Sequence, residues 1–253
     1  MRQTEISVPT VDGEADAYFV KPDGPRPVPG LVMFMDVFGL RPRIREMADR
    51  VAERGYAVLV PNLFYRSARS PLVDQEELTD ADRRSAAFGR LVPMIQELTP
   101  ERVAADTGAY LDFLAAQEGV ADGPAGLFGY CMGGRNALVA ATAHPERVAA
   151  LASFHAGGVV TGQPDSPHLR VGALTGEVYF AHADNDGSMT PENISALESA
   201  LKSAGVTYTS ELYEGAPHGF TMADTAMFHE AGEQRHWRAL FALLDRALPS
   251  RSA

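Results

Sequence analysis

The chain lacks the features that mark secreted, disulfide-bonded or membrane-spanning proteins. Its 253 residues include one cysteine, Cys131, which excludes an intrachain disulfide and any metal site built from several cysteines. No stretch approaches the roughly 20 consecutive apolar residues of a transmembrane helix. The N-terminal segment has no long apolar run of the kind found in signal peptides. These absences together predict a cytoplasmic protein.

Basic residues are scarce relative to acidic ones. There are 22 Lys and Arg against 33 Asp and Glu, which gives a formal net charge of −11. Because nucleic acids and anionic membranes bind basic patches, neither is expected as a main partner. An anionic small molecule needs only one or two local cations and remains compatible with this charge. We therefore expect a small-molecule substrate, bound by a monomer or a small homo-oligomer.

Strand-like and helix-like segments alternate along the chain, which is typical of an α/β fold with a mostly parallel central sheet and helices on both faces. We predict a single domain over residues 1–253, with a polar helical insertion at about 66–99. The predicted strands cover 15–21, 31–35, 56–60, 125–128, 148–154, 177–182 and 206–213. The predicted helices cover 42–54, 100–116, 132–143, 191–204 and 225–248, with N-caps at Thr99 and Thr190.

The most informative motif is Gly129-Tyr130-Cys131-Met132-Gly133, at a predicted strand-to-helix junction. It has the form of the G-x-S-x-G nucleophile elbow with cysteine in place of serine. Glycines two residues on either side avoid clashes in a strained turn, and the helix N-terminus favours a thiolate on Cys131. The backbone N–H of Met132 would then serve as an oxyanion donor. The alternative is a glycine-rich turn that carries a buried, unreactive cysteine.

A general base and its acid partner are expected after the late strands, in the order nucleophile, acid, histidine. His218 lies in the loop that follows the last predicted strand and is the predicted base. Asp186 is the preferred acid because it lies further into the loop after strand 177–182, and Asp184 is the alternative. Two other histidines near strand ends are interpreted as core residues that could line a pocket: His155 and His182.

With Cys131, Asp186 and His218 in this order, the chain resembles the dienelactone hydrolase family, the carboxymethylenebutenolidases, over nearly its whole length. The motifs that carry the resemblance are MDVFGL (35–40), GYAVLVPNLFYR (55–66), GYCMGG (129–134), ADND (183–186) and PHGF (217–220). The resemblance implies an α/β-hydrolase fold and hydrolysis of an enol-lactone or related ester. It also implies an acyl-cysteine intermediate and no metal or organic cofactor.

The resemblance also implies roles for two residues that follow the strand at 31–35. Asp36 stands where the family has a glutamate that contacts the resting thiol, and its side chain is one methylene shorter. Val37 would supply the second oxyanion N–H. The alternative for Asp36 is a capping or turn aspartate ahead of Phe38.

Dienelactone hydrolases hold the substrate carboxylate with two arginines. For the arginine of the insertion, Arg84 is preferred over Arg83, although both would also suit an ordinary solvated helix face. The second arginine position is Met222 here, which predicts a less anionic substrate. Tyr130 and Phe38 are also assigned to substrate binding. The alternative functions are a general carboxylesterase or thioesterase of the same fold, and a non-catalytic thiol redox or binding protein.

Overall fold

An eight-stranded sheet forms the centre of the computed structural model, which describes residues 1–249. The strand order is β1-β2-β4-β3-β5-β6-β7-β8. Strands β3 to β8 run parallel, and β2 pairs antiparallel with both β1 and β4. The strands are Arg2–Thr10 (β1), Gly13–Lys21 (β2), Gly30–Phe34 (β3), Ala57–Pro61 (β4), Ala125–Tyr130 (β5), Val148–Phe154 (β6), Glu177–Ala183 (β7) and Tyr208–Tyr213 (β8).

Helices connect the parallel strands, and their ends follow capping chemistry. Thr99 and Thr190 each accept a hydrogen bond from the backbone N–H three residues later, and Gly205 ends a helix with a positive φ of 70°. No helix within residues 1–249 is long and apolar enough to cross a membrane. The α-helices are Pro42–Ala52 (α1), Gln75–Thr79 (α2), Ala81–Glu97 (α3), Pro100–Ala115 (α4), Met132–Ala143 (α5), Pro191–Ala204 (α6) and Glu230–Ala247 (α7).

Strand β5 shows that helices cover both faces of the sheet, because alternate residues of a strand point to opposite faces. A Cβ placed on Gly126 would lie 3.5 Å from Leu244 of α7. A Cβ placed on Gly129, three residues on, would lie 2.3 Å from the carbonyl oxygen of Gly133 in α5. Helices α7 and α5 therefore pack on opposite faces of this strand, as expected from a sheet buried on both sides.

Two segments differ from their sequence-based prediction. Strand β1 was not predicted, because only Val8 of its nine residues is buried and no apolar alternation marks it. The final helix begins at Glu230 rather than 225, since residues 219–228 form turns and His229 caps the helix by accepting the N–H of Gly232. The predicted helix 132–143 and strand 148–154 are confirmed at both ends.

The insertion at 66–99 contains α2 and α3 and packs over the end of β3. A small apolar cluster joins these helices to Val37, which lies in the turn after β3. The insertion therefore forms one wall above the carboxyl ends of the strands, where ligands bind in open α/β sheets. The members of the cluster are Val37, Val73, Leu78, Ala87 and Leu91.

Candidate active site

Cys131 lies in a strained turn between the last residue of β5 and the first residue of α5. Its φ of 53° and ψ of −121° are unusual for a residue with a side chain. A Cβ on Gly129 or on Gly133 would approach the backbone oxygens of Gly133 and Phe34 respectively to 2.3 Å. Glycine is therefore required at both positions, and the turn has the sterics of a nucleophile elbow.

The side chain of His218 lies between Cys131 and Asp186. Its Nε2 is 3.0 Å from Cys131 Sγ, and its Nδ1 is 2.6 Å from Asp186 Oδ2. The other carboxylate oxygen of Asp186 accepts hydrogen bonds from the Ser188 hydroxyl at 2.6 Å and the Ser188 N–H at 2.9 Å. Asp184 does not contact the ring, because its Oδ2 accepts the backbone N–H of Gly215 at 2.8 Å.

The electrostatics of this chain of contacts favour a protonated imidazole. Burial acts to lower the pKa of His218, but its hydrogen bonds to Asp186 and Cys131 outweigh burial and raise the pKa to about 10. Burial acts to raise the pKa of Asp186, and the hydrogen bond and charge of His218, together with Ser188, bring it down to about 2. At neutral pH the ring therefore carries a proton that it can share with the sulfur or deliver to a leaving group.

A cavity of about 350 Å³ opens beside the sulfur and the imidazole. Apart from Arg84 and Asp36, the other side chains of its wall are mainly apolar and come from three segments: the turn after β3, the insertion helix α3, and the loop after His218. A pocket of this size and character suits a small organic substrate. Besides Cys131 and His218, its wall includes Val37, Phe38, Arg84, Phe88, Met222 and Met227.

Comparison with known proteins decides the family. A model of the dienelactone hydrolase family matches residues 15–248. The chain belongs to the dienelactone hydrolase family. It is therefore a hydrolase that acts on ester or lactone bonds, as the motifs predicted.

Individual relatives agree with this membership. The carboxymethylenebutenolidase of Rhodococcus opacus is 29% identical over 227 residues, which cover 88% of this chain and 83% of that protein. Two solved structures share the fold. A dienelactone hydrolase-like promiscuous phosphotriesterase from metagenomic libraries has a TM-score of 0.73 at 23% identity, covering 98% of this chain and all of that one. The dienelactone hydrolase of Anabaena variabilis has a TM-score of 0.64 at 20% identity, covering 98% of each chain. The α/β-hydrolase fold is confirmed.

The residues expected to bind substrate in a dienelactone hydrolase divide into two groups. Arg84, Phe38 and Met222 line the cavity. Arg83 does not, because its side chain is 63% exposed and points to Glu76, 3.8 Å away. The assignment of Tyr130 to the pocket is wrong, since the residue before the nucleophile faces the sheet core. Its ring is fully buried, and its hydroxyl lies 2.8 Å from Nε2 of His236.

Asp36 lines the cavity, but its hydrogen bonds differ from those expected of the family glutamate. Its two oxygens accept bonds from Arg41 at 2.6 Å and 3.0 Å, and Oδ1 also accepts the N–H of Phe38 at 3.0 Å. Among the hydrogen bonds within residues 1–249, none joins Asp36 to Cys131. The geometry fits the alternative of a turn aspartate, since the contact with Phe38 N–H closes an Asx turn.

Two residues near the candidate triad were not identified from the sequence: Arg41 pairs with Asp36, and Ser188 holds Asp186. His155 was interpreted as a core histidine that could line a pocket, and both descriptions fit, because it is fully buried and lines the cavity; it has a positive φ of 39°. Its ring centre is 5.5 Å from that of His218. Only Ser188, two residues after the acid, follows a recognisable local pattern for hydroxyl–carboxylate pairing.

Proposed function

We propose that the chain hydrolyses its ester or lactone substrate through an acyl intermediate on Cys131. The observation that carries the proposal is the contact of His218 with both Cys131 Sγ, at 3.0 Å, and Asp186, at 2.6 Å, beside the cavity. A nucleophile, a base and a carboxylate that orients the base form the constellation that nucleophilic acyl transfer needs.

The acylation step begins with the proton of the Cys131–His218 pair on His218 Nε2, so that Cys131 reacts as a thiolate. The thiolate attacks the acyl carbon, and the carbonyl oxygen becomes an oxyanion held by the N–H groups of Met132 and Val37. Met132 is the first residue of α5, so its N–H has no acceptor within the helix. The bond from the acyl carbon to the leaving oxygen then breaks, and that oxygen receives the proton from His218. The product is a thioester on Cys131 and a free alcohol or enol.

Deacylation needs His218 as a base. Acylation of Cys131 favours this role because it lowers the pKa of the imidazole. The hydrogen bond and the charge of Cys131 both raise the pKa of His218. A thioester sulfur carries neither the charge nor the same bond, so the pKa falls once the intermediate forms. His218 can then take a proton from water, which attacks the thioester carbon. The thiolate leaves, and the carboxylic acid is released.

Direct detection of the intermediate tests the proposal. We expect that rapid acid quenching during turnover of p-nitrophenyl acetate gives a protein heavier by one acetyl group, located by peptide mass spectrometry on Cys131. The Cys131→Ala variant, treated identically, should gain no mass. Continued turnover with no adduct, or with an adduct on a different residue, would refute the mechanism. An oxidised thiol without turnover would instead indicate a redox or binding protein.

The pocket also indicates the class of substrate. Within residues 1–249, Arg84 is the one arginine that lines the cavity, and it already donates a hydrogen bond to the carbonyl oxygen of Leu78 at 3.1 Å. Met222 presents a thioether where the family has its second arginine, and Asp36 adds a carboxylate to the wall. A substrate carboxylate would meet one guanidinium instead of a pair. We propose a substrate less anionic than a dienelactone.

Substitution of Met222 by arginine should shift this preference. We expect the wild type to favour a neutral aryl ester over the same ester with an added carboxylate. Met222→Arg should raise the relative kcat/KM for the carboxylate ester by about tenfold, which is the order of one charge-assisted contact. Met222→Leu, which keeps the site apolar, is the matched control and should leave the ratio unchanged. A wild type that turns over free dienelactone carboxylates far better than neutral esters would contradict the proposed class.

A further inference from the structure

The most heavily bonded buried charge near the active site is Arg41, which the proposed mechanism does not use. Its side chain is 3% exposed. It binds both oxygens of Asp36 at 2.6 Å and 3.0 Å, and both oxygens of Asp224 at 2.6 Å and 3.2 Å. It also contacts the carbonyl oxygen of Gly39 at 3.3 Å and the sulfur of Met222 at 3.4 Å. One guanidinium thus joins two distant segments of the chain.

Each of these segments carries part of the catalytic machinery. Asp36 and Gly39 belong to the turn after β3, which holds Val37 at the wall of the cavity. Met222 and Asp224 belong to the loop that follows His218, 183 residues from Arg41 in the case of Asp224. The fixed fork of a guanidinium can hold two carboxylates in one plane, which a lysine ammonium cannot do. Arg41 therefore sets the distance between the two segments.

We propose that Arg41 is a positioning residue for the oxyanion site. It holds Asp36 and, through it, the turn that presents the Val37 N–H to the substrate oxygen, against the loop of His218. The inference rests on the proposed function, because it assumes an oxyanion at that position. Asp36 then acts as the anchor of the turn, while His218 alone receives the proton of Cys131.

The bonding of Asp36 supports this division of roles. Both of its oxygens accept bonds from a permanently charged guanidinium, and one of them also accepts the Phe38 N–H. Both oxygens are already engaged by these donors, and no hydrogen bond within residues 1–249 joins Asp36 to the thiol of Cys131. The Phe38 contact fixes the backbone of the residue next to Val37, so a shift of Asp36 would move the Val37 N–H directly.

Two reactions of Cys131 separate positioning of the oxyanion site from activation of the thiol. Hydrolysis of p-nitrophenyl acetate needs a thiolate and an oxyanion site, whereas alkylation by iodoacetamide needs the thiolate alone. Removal of a complete oxyanion donor costs about 10²- to 10³-fold in rate. We therefore expect Arg41→Lys, which loosens the turn, to lower kcat/KM for the ester by about 10- to 100-fold, with alkylation within about twofold of wild type.

Asp36→Asn should also slow ester hydrolysis and leave alkylation unchanged. An amide keeps the hydrogen bond from Phe38 N–H but loses the charge that pairs with Arg41. Arg45→Lys is the matched control: Arg45 lies in the first turn of α1, the helix that begins directly after Arg41, is 36% exposed and pairs with Glu5 at the surface. It should leave both reactions unchanged. Thermal melting shows whether each variant is folded. If Arg41→Lys does not fold, the same two reactions are measured in Asp224→Asn. This variant removes the second carboxylate bound to Arg41 without changing Asp36.

An unchanged ester rate in the folded variants would overturn the inference. Alkylation that slows in parallel with ester hydrolysis would also overturn it, because the network would then act on the thiol itself. These outcomes differ from a failure of the proposed mechanism, which would show as ester turnover by Cys131→Ala. An enzyme that depends on Cys131 but is indifferent to Arg41→Lys would refute only the positioning role.

Discussion

Replacement of Cys131 by alanine should abolish ester and lactone turnover, with a loss of at least about 10⁴-fold in kcat. The variant removes the proposed nucleophile, and a methyl group fits the space of the thiol without disturbing the elbow. Cys131→Ser should retain little activity, because His218 owes part of its high pKa to the sulfur and would no longer receive a proton readily from a hydroxyl. Initial rates with p-nitrophenyl acetate provide the measurement.

The same variant has a second expected readout, in the titration of His218. Two of the interactions that raise its pKa, a hydrogen bond and a charge, come from Cys131. In Cys131→Ala we expect the pKa to fall from about 10 towards the ordinary range, as followed by NMR of the imidazole protons. Near-full esterase activity in the alanine variant would remove Cys131 from its role. An unchanged titration would show that the sulfur and the ring do not interact.

The nucleophile elbow was predictable because its requirements are local. Glycine is needed at 129 and 133 because a side chain there would clash with backbone atoms in any strand–turn–helix of this type. In the structure, a Cβ at either position would lie 2.3 Å from a backbone oxygen. The helix after Cys131 follows from the same motif. The position of His218 after the last strand is also a local fact, since loops at the carboxyl ends of parallel strands meet at one edge of the sheet.

The network of Arg41 could not be predicted, since it depends on tertiary contact rather than on spacing. Asp36 was compared with a family glutamate by its position after a strand, and position alone does not tell which cation its oxygens contact. The partner Asp224 lies 183 residues away from Arg41, in a loop with no periodic pattern. The burial of Tyr130 could not be predicted for the same reason, because its hydroxyl contacts His236 on a helix more than 100 residues later.

The start of the final helix could not be predicted from the sequence for a different reason. Residues 225–229 have helix-compatible composition, but the helix begins only at Glu230. The N–H of Phe228 bonds to the carbonyl oxygen of Thr225, and the preceding turns are closed by N–H bonds from Met222 to Gly219 and from Thr225 to Met222. These turns give the loop after His218 the shape that brings Met222 and Asp224 to Arg41. Tertiary contacts override local propensity here, at a segment that lines the site.

Asp186→Asn is the second variant with a large expected effect, about 10³- to 10⁴-fold in kcat, comparable to asparagine replacement of a triad aspartate. The carboxylate raises the pKa of His218 through its hydrogen bond and its charge, so its loss lowers that pKa. An amide cannot stabilise the imidazolium that forms when Cys131 gives up its proton. Its NH₂ group can also donate to Nδ1, which would leave Nε2 with the wrong protonation state. Stopped-flow measurement of the acylation burst reports this step directly.

Asp184→Asn is the matched control, because it removes a negative charge from the same loop two residues away. Asp184 accepts the N–H of Gly215 through one oxygen, and an asparagine carbonyl can accept the same bond. We expect acylation within about threefold of wild type, since no charged or catalytic partner is lost. A large loss in Asp184→Asn with a small loss in Asp186→Asn would transfer the role of acid to Asp184. Equal losses would mean that both variants disturb the loop, and the contact at 2.6 Å between Asp186 and His218 would then carry no special catalytic role.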